Sequence, residues 1–146
     1  MVKKVDENGL DHVGWRLWDA AAVWKDKFAK EMIASGHEWY AEARSSVMPY
    51  VSVNGTKQSE IVARMGLSKQ AVQQLITDLE RAGILRRDPD PDDKRGKIVR
   101  FTEAGLAARR DGRKAKKSIE ADMKKVLGPK EFDQLMTLLK RIGSQS

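Results

Sequence analysis

Apolar residues recur at helical spacing near the beginning of the chain. From Leu10 onward, apolar residues three or four positions apart trace one face of a long helix, and further apolar residues trace a second face. A helix that is apolar on two sides needs neighbours that cover both. Gly36 ends this pattern. A second helix is then predicted from the face made of Trp39, Tyr40, Ala43, Val47 and Val51.

The segment from residue 56 to residue 83 predicts two short helices joined by a tight turn. Thr56 is expected to cap the first helix, and Gly66 lets the chain turn sharply after it. Ser68 is expected to cap the second helix, which ends at Gly83. Leu67 is expected to fill the corner between them. The inward face of the second helix consists of Val72, Leu75, Ile76 and Leu79. This arrangement is typical of a helix-turn-helix.

Two short strands and two more helices follow. The sequences ILRR and KIVRF predict the strands, and the Pro and Asp residues between them predict a hairpin loop. Thr102 is expected to cap a long helix that Gly128 and Pro129 end. The last helix has an apolar face of Phe132, Leu135, Met136, Leu139 and Ile142. We therefore predict a mainly α fold with a small β-hairpin, within the α+β class, in a single domain.

The positive charge of the chain is concentrated in its middle. The net charge is +7, and residues 56–117 hold 16 Lys and Arg against 9 Asp and Glu, whereas the flanking segments are nearly neutral. A basic excess confined to one region is typical of a protein that binds a polyanion, most often nucleic acid. An ordinary solvated basic surface is the alternative.

The amino-acid composition excludes several kinds of site and several classes of protein. The chain has no cysteine, which excludes disulfides, thiolate metal sites and thiol sensors. We see neither a secretion signal nor a stretch of about 20 apolar residues that could span a membrane, and we expect a cytoplasmic protein. No nucleophile with a base and no cluster of metal ligands is evident, so neither an enzyme nor a cofactor is predicted. His12 and His37 are too few to build a zinc site and are expected to be solvated.

The start of the second short helix carries the residues that could read DNA. A recognition helix lies in the major groove, and the residues near its beginning reach the base edges. Gln can pair with adenine through two hydrogen bonds, and Lys can reach guanine or phosphate. The candidates here are Ser68, Lys69, Gln70, Gln73 and Gln74. The alternative is a solvated polar face.

The sequence RRDPDPDDKRGKIVRF, residues 86–101, admits three interpretations. Its alternating aspartates resemble the beginning of a calcium loop, but Asp93 stands where such a loop needs glycine and Val99 where it needs glutamate. A solvated linker is the second interpretation. We favour the third, a hairpin in which prolines stiffen the shoulders and Asp93 orients the Arg95 guanidinium at the tip. Arg95 would then enter the minor groove, and Lys94 and Lys97 would contact phosphate.

The middle of the sequence resembles a known family. Residues 58–105 are similar to the winged helix-turn-helix core of the MarR family of bacterial transcriptional regulators. The resemblance lies in GLSKQAV, LERAGIL, the wing DPDDKRGKIVRFTEAG with its Asp-x-Arg at Asp93 and Arg95, and the FTEAG that leads into the next helix.

The resemblance implies a homodimer that binds a pseudo-palindromic operator in double-stranded DNA, most often as a repressor. It divides the chain into N-terminal helices (10–51), a DNA-binding lobe (56–101), and a linking helix with a C-terminal dimerisation helix (102–146). It also implies a pocket for a small aromatic or phenolic effector, for which the candidates are Trp15, Trp18, Trp39, Tyr40 and Arg44, although these residues could instead belong to the core. The alternatives are a non-specific architectural DNA-binding protein and a constitutive protein-interaction module.

Overall fold

The computed structural model describes residues 11–41 and 43–144, with residues 41, 43 and 44 described through their backbone alone. The helices in this part of the chain are α1 (Val13–Ala34), α2 (Gln58–Met65), α3 (Lys69–Arg81), α4 (Glu103–Leu127) and α5 (Pro129–Gly143). The strands are β1 (Thr56–Lys57), β2 (Leu85–Asp90) and β3 (Asp93–Phe101). The predicted class, mainly α with a small antiparallel sheet, is confirmed. None of the described helices is long and apolar enough to cross a membrane.

The described residues divide into two compact units. The first, called here the terminal unit, contains residues 11–28 and 113–144. The second, called here the winged unit, contains Ala29–Gly112. The division falls within α1 and within α4, so each of these helices contributes to both units.

The winged unit has a continuous apolar core. Helix α3 places Val72, Ile76 and Leu79 in this core, fully buried and three or four positions apart, as predicted. The core also contains Val47, Val51, Ile61, Ile84, Leu85, Val99 and Phe101. Leu67, by contrast, is 50% exposed, so the prediction that it fills the corner of the helix-turn-helix is wrong. Residues distant in sequence already fill this core.

The helix predicted between Trp39 and Val51 is replaced by two 3₁₀ helices. These span Glu38–Ala41 and Ala43–Tyr50. Pro49 lies inside the second one. In the interior of an α-helix, proline lacks the N–H for the i→i−4 bond and its ring clashes with the carbonyl of residue i−4, which disfavours an α-helix through Pro49. Val47 and Val51 are core residues, so the apolar pattern correctly predicts burial. It does not predict the type of helix.

The sheet contains a strand that the sequence did not predict. Its order is β1-β3-β2, and all pairs are antiparallel. Thr56 pairs with Val99 in β1, and its hydroxyl accepts a hydrogen bond from the Ser52 backbone N–H at 2.9 Å. Thr56 is therefore a strand residue rather than a helix cap, and Lys57 at the start of α2 makes no side-chain capping bond. The wing is braced by this third strand.

The terminal unit is held together by aromatic and apolar contacts. Trp24 stacks on Phe28 with 5.2 Å between ring centroids. Phe132 of α5 is buried, and the Lys124 ammonium lies 5.0 Å from its ring centroid. Gly128, at a φ of +84°, and Pro129 separate α4 from α5 as predicted. Phe132 thus belongs to the core of a single chain.

Candidate nucleic-acid interface

Helix α3 begins with the side-chain cap that the sequence predicts. The Ser68 hydroxyl accepts a hydrogen bond from the Ala71 backbone N–H at 3.1 Å. This bond satisfies one of the N–H groups that a helix leaves free at its beginning. Because Val72 and Ile76 are fully buried on one side, the opposite side of the first two turns faces outward.

Four of the five predicted recognition residues are exposed at the beginning of α3. Ser68, Lys69, Gln70 and Gln74 are exposed, whereas Gln73 is half-buried. The Gln74 side-chain amide donates to the Asp78 carboxylate at 2.9 Å, one turn further along the helix. A polar surface with both donors and acceptors therefore stands at the end of α3 that a major groove would receive.

The hairpin changes register close to its tip. Strands β2 and β3 pair regularly from Leu85 with Phe101 to Pro89 with Lys97, and the next pair is Asp90 with Asp93. Residues 94–96 are therefore looped out of the ladder. Pro89 lies in β2, an edge strand, and edge strands are where proline is found in sheets. The strands extend further than predicted, which leaves only Pro91 and Asp92 between them.

Two aspartates shape the tip through backbone hydrogen bonds. Asp90 Oδ1 accepts from the Asp92 N–H at 2.9 Å, and Asp93 Oδ1 accepts from the Arg95 N–H at 2.9 Å. The expectation that Asp93 holds the Arg95 guanidinium is corrected here, since the carboxylate holds the backbone N–H instead. Such side-chain-to-backbone bonds fix tight turns.

Three wing cations are left available at the surface. Lys94, Arg95 and Lys97 are exposed, and none of their charged groups forms an ion pair with a residue that the structure describes. Asp93, the fourth wing residue predicted, is exposed as well. The wing thus presents a compact set of unpaired cations beside the turn that Asp90 and Asp93 fix.

Of the other wing acids, Asp88 pairs with two arginines and Asp90 is buried in the hairpin. Asp88 Oδ2 lies 3.2 Å from Arg86 Nε and 3.2 Å from Arg100 Nε. The Asp90 side chain is only 3% exposed, whereas Asp92 is exposed. Among residues 11–41 and 43–144, no group of three acidic or histidine side chains could hold a metal ion. The alternating aspartates therefore have three separate environments.

The comparisons with known proteins agree with this geometry. The sequence model described as the MarR family matches residues 46–96, which contain the end of the second 3₁₀ helix, the helix-turn-helix and the wing tip. The helix-turn-helix and the wing of this chain are thus similar to those of the MarR family. MarR-family regulators bind DNA and act as dimers, and they are transcription regulators rather than enzymes.

Solved structures share the fold over almost the whole chain. Wild-type MarR from E. coli in its apo form is 18% identical, with a TM-score of 0.71 over 91% of this chain and 98% of that chain. A MarR-family regulator from Rhodococcus sp. RHA1 is 22% identical, with a TM-score of 0.67 over 89% and 91%. A transcriptional regulator from Thermotoga maritima is 20% identical, with a TM-score of 0.62 over 90% and 91%. A search of curated protein sequences finds no match. At these identities the structural likeness shows the MarR fold alone.

An arginine that the sequence reading missed joins the wing to the recognition helix. Arg87 of β2 donates to Glu80 Oε1 of α3 through Nε at 2.8 Å, and to the Thr77 hydroxyl at 2.6 Å. It also donates to Gln58 Oε1 of α2 at 3.3 Å. Because alternate strand residues face opposite sides, Arg87 points away from its neighbour Arg86, and this alternation is the signal that could have identified it. The network fixes β2 against both helices of the helix-turn-helix.

The residues proposed for a MarR-type effector pocket lie in both units. Trp15 and Trp18 of the terminal unit line a shallow pocket of about 260 Å³ with His12 and Gly14. In the winged unit, the rings of Trp39 and Tyr40 have centroids 5.5 Å apart, and Trp39 packs against the core. Burial raises the pKa of the Tyr40 hydroxyl above its ordinary value. The side chain of Arg44 lies outside the described residues.

The two histidines make contacts that the sequence did not predict. His12 Nδ1 accepts a hydrogen bond from the Trp15 backbone N–H at 3.0 Å, at the beginning of α1. His37 Nε2 lies 2.8 Å from Asp111 Oδ2 in a half-buried contact. His12 is exposed, as expected for a solvated histidine, whereas the His37 side chain is only 14% exposed, so the expectation is wrong for His37. His37 instead connects the end of α1 with α4 inside the winged unit.

Proposed function

We propose that the chain is a sequence-specific, homodimeric regulator that binds an operator in double-stranded DNA and represses transcription. One observation carries this proposal: the exposed polar beginning of α3 and three unpaired wing cations belong to the same compact unit. Such a pairing provides a surface for base edges and a second surface for the DNA backbone. A regulator of this kind acts where the DNA is, which in bacteria is the cytoplasm.

In this proposal the recognition helix reads bases in the major groove. The groove is about 12 Å wide and accepts a helix whose first turns point inward. Gln70, Gln73 and Gln74 offer amides suited to adenine, and Lys69 offers an ammonium suited to guanine or phosphate. Ser68 is close enough to the helix beginning to donate to phosphate while it caps α3.

The wing would contact DNA beside the recognition helix. Arg95 suits a narrow minor groove, whose negative potential attracts an inserted guanidinium. Lys94 and Lys97 suit phosphates, which position a protein without reading sequence. Since Arg87 fixes β2 against α3 and α2, we expect the two DNA-contacting elements to dock as one body.

The homodimer is supported by the apolar surface of the terminal unit. Ile142 is 59% exposed and Leu139 is 40% exposed on α5, and Leu17 is 41% exposed on α1. A cavity of about 490 Å³ is lined by Leu17, Ala20, Ala21, Val23, Trp24, Lys27, Ile119, Met123, Leu135 and Leu139. Because isolated proteins seldom expose a contiguous apolar surface of this kind, we propose that a second copy covers it.

The domain organisation follows from these roles. We propose that residues 10–51 and 102–146 contain the dimerisation helices and that residues 56–101 form the DNA-binding lobe. Leu10, at which the apolar pattern of the first predicted helix begins, lies outside the described residues. A two-fold dimer would place two recognition helices about 34–36 Å apart, one turn of B-DNA.

Repression would follow from occupation of a promoter. A small aromatic or phenolic effector would relieve it by favouring a dimer whose recognition helices no longer match the half-site spacing. The aromatic walls that Trp15 and Trp18 give the shallow pocket of the terminal unit support a ligand of this class. Titration with salicylate-like carboxylates, followed by tryptophan fluorescence, tests this part separately.

Three variants test the DNA-binding assignment with a duplex enriched from a random pool and with a scrambled duplex. Gln74→Ala should change the preference between the two duplexes, whereas Lys97→Ala should weaken binding to both by a similar factor. Arg95→Ala should cost about 1–3 kcal/mol of binding free energy. If Arg95→Ala changes neither the affinity nor its salt dependence, the wing does not bind DNA. Equal wild-type affinity for both duplexes would favour an architectural DNA-binding protein instead.

A further inference from the structure

One acidic side chain of the wing is buried, although the wing belongs to a surface proposed to meet phosphates. Asp90 has a side chain that is 3% exposed, whereas its neighbours Asp92 and Asp93 are exposed. A buried carboxylate is costly unless other groups satisfy it. Contact with DNA cannot explain a buried carboxylate, so Asp90 must have a role within the fold.

The Asp90 carboxylate occupies the joint between the wing tip and the rest of the sheet. Oδ1 accepts the Asp92 N–H at 2.9 Å, and Oδ2 lies 3.8 Å from Nζ of Lys57 in β1. A methyl group added at Gly96 would lie 3.2 Å from Asp90 Cβ and 3.3 Å from its Oδ2. The carboxylate thus lies against the backbone of the looped-out residues 94–96 and connects them with β1.

We propose that Asp90 is a positioning residue for DNA binding, which fixes the loop bearing Lys94 and Arg95 and ties it to β1 through Lys57. Asp90 itself touches no DNA in this account. The inference rests on the proposed function, because it concerns how the wing cations are presented to phosphates. The looped-out residues make few ladder bonds of their own, so their position depends on the side chain beneath them.

The sign of the effect separates positioning from simple electrostatics. Removing a negative charge from a surface that meets phosphates should strengthen DNA binding, since like charges repel. If Asp90 instead positions the cations, its removal should weaken binding. Asp92, which is exposed and two residues away, provides the matched control, because its side chain makes no hydrogen bond or ion pair with a described residue.

The test compares Asp90→Asn and Asp92→Asn on an enriched duplex at several salt concentrations. Asp90→Asn keeps an acceptor for the Asp92 N–H but loses the charge that faces Lys57, and we expect roughly tenfold weaker binding. The salt slope of log K should fall by about 1, as one phosphate contact is lost. Asp92→Asn should bind as tightly as wild type or more tightly. Equal or tighter binding by Asp90→Asn overturns the proposal, as does weaker binding with an unchanged salt slope.

A double-mutant cycle tests the connection to β1. Lys57→Met should weaken binding, and the double variant Lys57→Met, Asp90→Asn should be no weaker than the weaker single variant. Fully additive losses would show that Lys57 contacts DNA independently, and the tie to β1 would be abandoned.

Hydrogen exchange without DNA distinguishes this inference from the proposed function. In Asp90→Asn, amides of residues 92–97 should exchange faster than in Asp92→Asn, while the amides of α3 exchange as in wild type. Equal exchange in the two variants overturns the positioning role. If exchange is faster in Asp90→Asn but the wild-type protein binds no duplex, Asp90 still fixes the loop and only the proposed function is wrong.

Discussion

Gly105, the last residue of FTEAG, lies against the backbone that leads into the wing. A methyl group added at Gly105 would lie 2.1 Å from the carbonyl oxygen of Ile84 and 3.1 Å from the Phe101 ring. Ordinary carbon–oxygen contacts are about 3.3 Å or longer. The same oxygen accepts hydrogen bonds from the Thr102 N–H at 3.0 Å and the Thr102 hydroxyl at 3.1 Å. Gly105→Ala therefore requires α4 to move away from Ile84.

The expected cost follows from these contacts. A shift of about 1 Å weakens both hydrogen bonds to the Ile84 oxygen, at about 1 kcal/mol each. Crowding adds about 1–3 kcal/mol, and the better helix propensity of alanine offsets at most about 1 kcal/mol. We expect Gly105→Ala to lower the free energy of unfolding by about 2–4 kcal/mol.

Urea unfolding followed by far-ultraviolet circular dichroism measures this change. All samples need the same protein concentration, because association adds to apparent stability. With a slope of about 1–3 kcal/mol per molar urea, the midpoint should fall by roughly 1 M or more. Gly143→Ala is the control, since a methyl group there meets no heavy atom within 4 Å. Equal midpoints for the two variants would refute the close approach of α4 to Ile84.

Three further predictions concern the cap of α3, the contacts by which Arg87 joins the wing to α3, and the dimer. Ser68→Ala removes the acceptor for the Ala71 N–H, and urea unfolding should show a loss of about 1 kcal/mol. Arg87→Met removes the cation that pairs with Glu80 in a half-buried site and leaves only the backbone N–H of residue 87 to donate to this carboxylate, so it should cost about 2 kcal/mol by the same measurement. Leu139→Asp places a charge on the exposed apolar face of α5, and sedimentation equilibrium should show a monomer under conditions in which we expect the wild type to be a dimer.

Each of these predictions has an outcome that contradicts it. For the cap, a Ser68→Asp variant should retain most of the stability, and a loss as large as that of Ser68→Ala would show that capping is not the cause. For the Arg87 contacts, adding Glu80→Gln to Arg87→Met should lower the free energy of unfolding little further. Additive losses of stability would argue against the ion pair between these two residues. For the dimer, Gln134→Asp on the polar face of α5 is the control, and equal dissociation by both variants would exclude a specific apolar interface.

Elements with local signals could be predicted from the sequence. Helix α3 has its cap at Ser68, its buried face at Val72 and Ile76, and its terminating glycine at Gly83, all within one short segment. Strand β1 could not be predicted, because its two residues form a strand only by pairing with β3, some 40 positions away. The 3₁₀ helices share the apolar spacing of an α-helix over so short a length that periodicity does not separate them.

The candidate site was predicted as a set of residues but not as a structure. The exposed wing cations follow from charge and from the resemblance to a known wing. The separate environments of Asp88, Asp90 and Asp93 depend on the register change after Pro89, which no local pattern signals. Arg87 was missed for a related reason, because its partners Glu80 and Gln58 come from two other elements.

Selection of bound sequences from a random duplex pool examines the specificity and the symmetry of the proposed dimer in one experiment. We expect enrichment of a two-fold symmetric motif whose half-site centres are about 10 base pairs apart, or one helical turn. Enrichment of an asymmetric motif would contradict the homodimer. A pool that shows no enrichment over random sequence would contradict sequence-specific regulation itself.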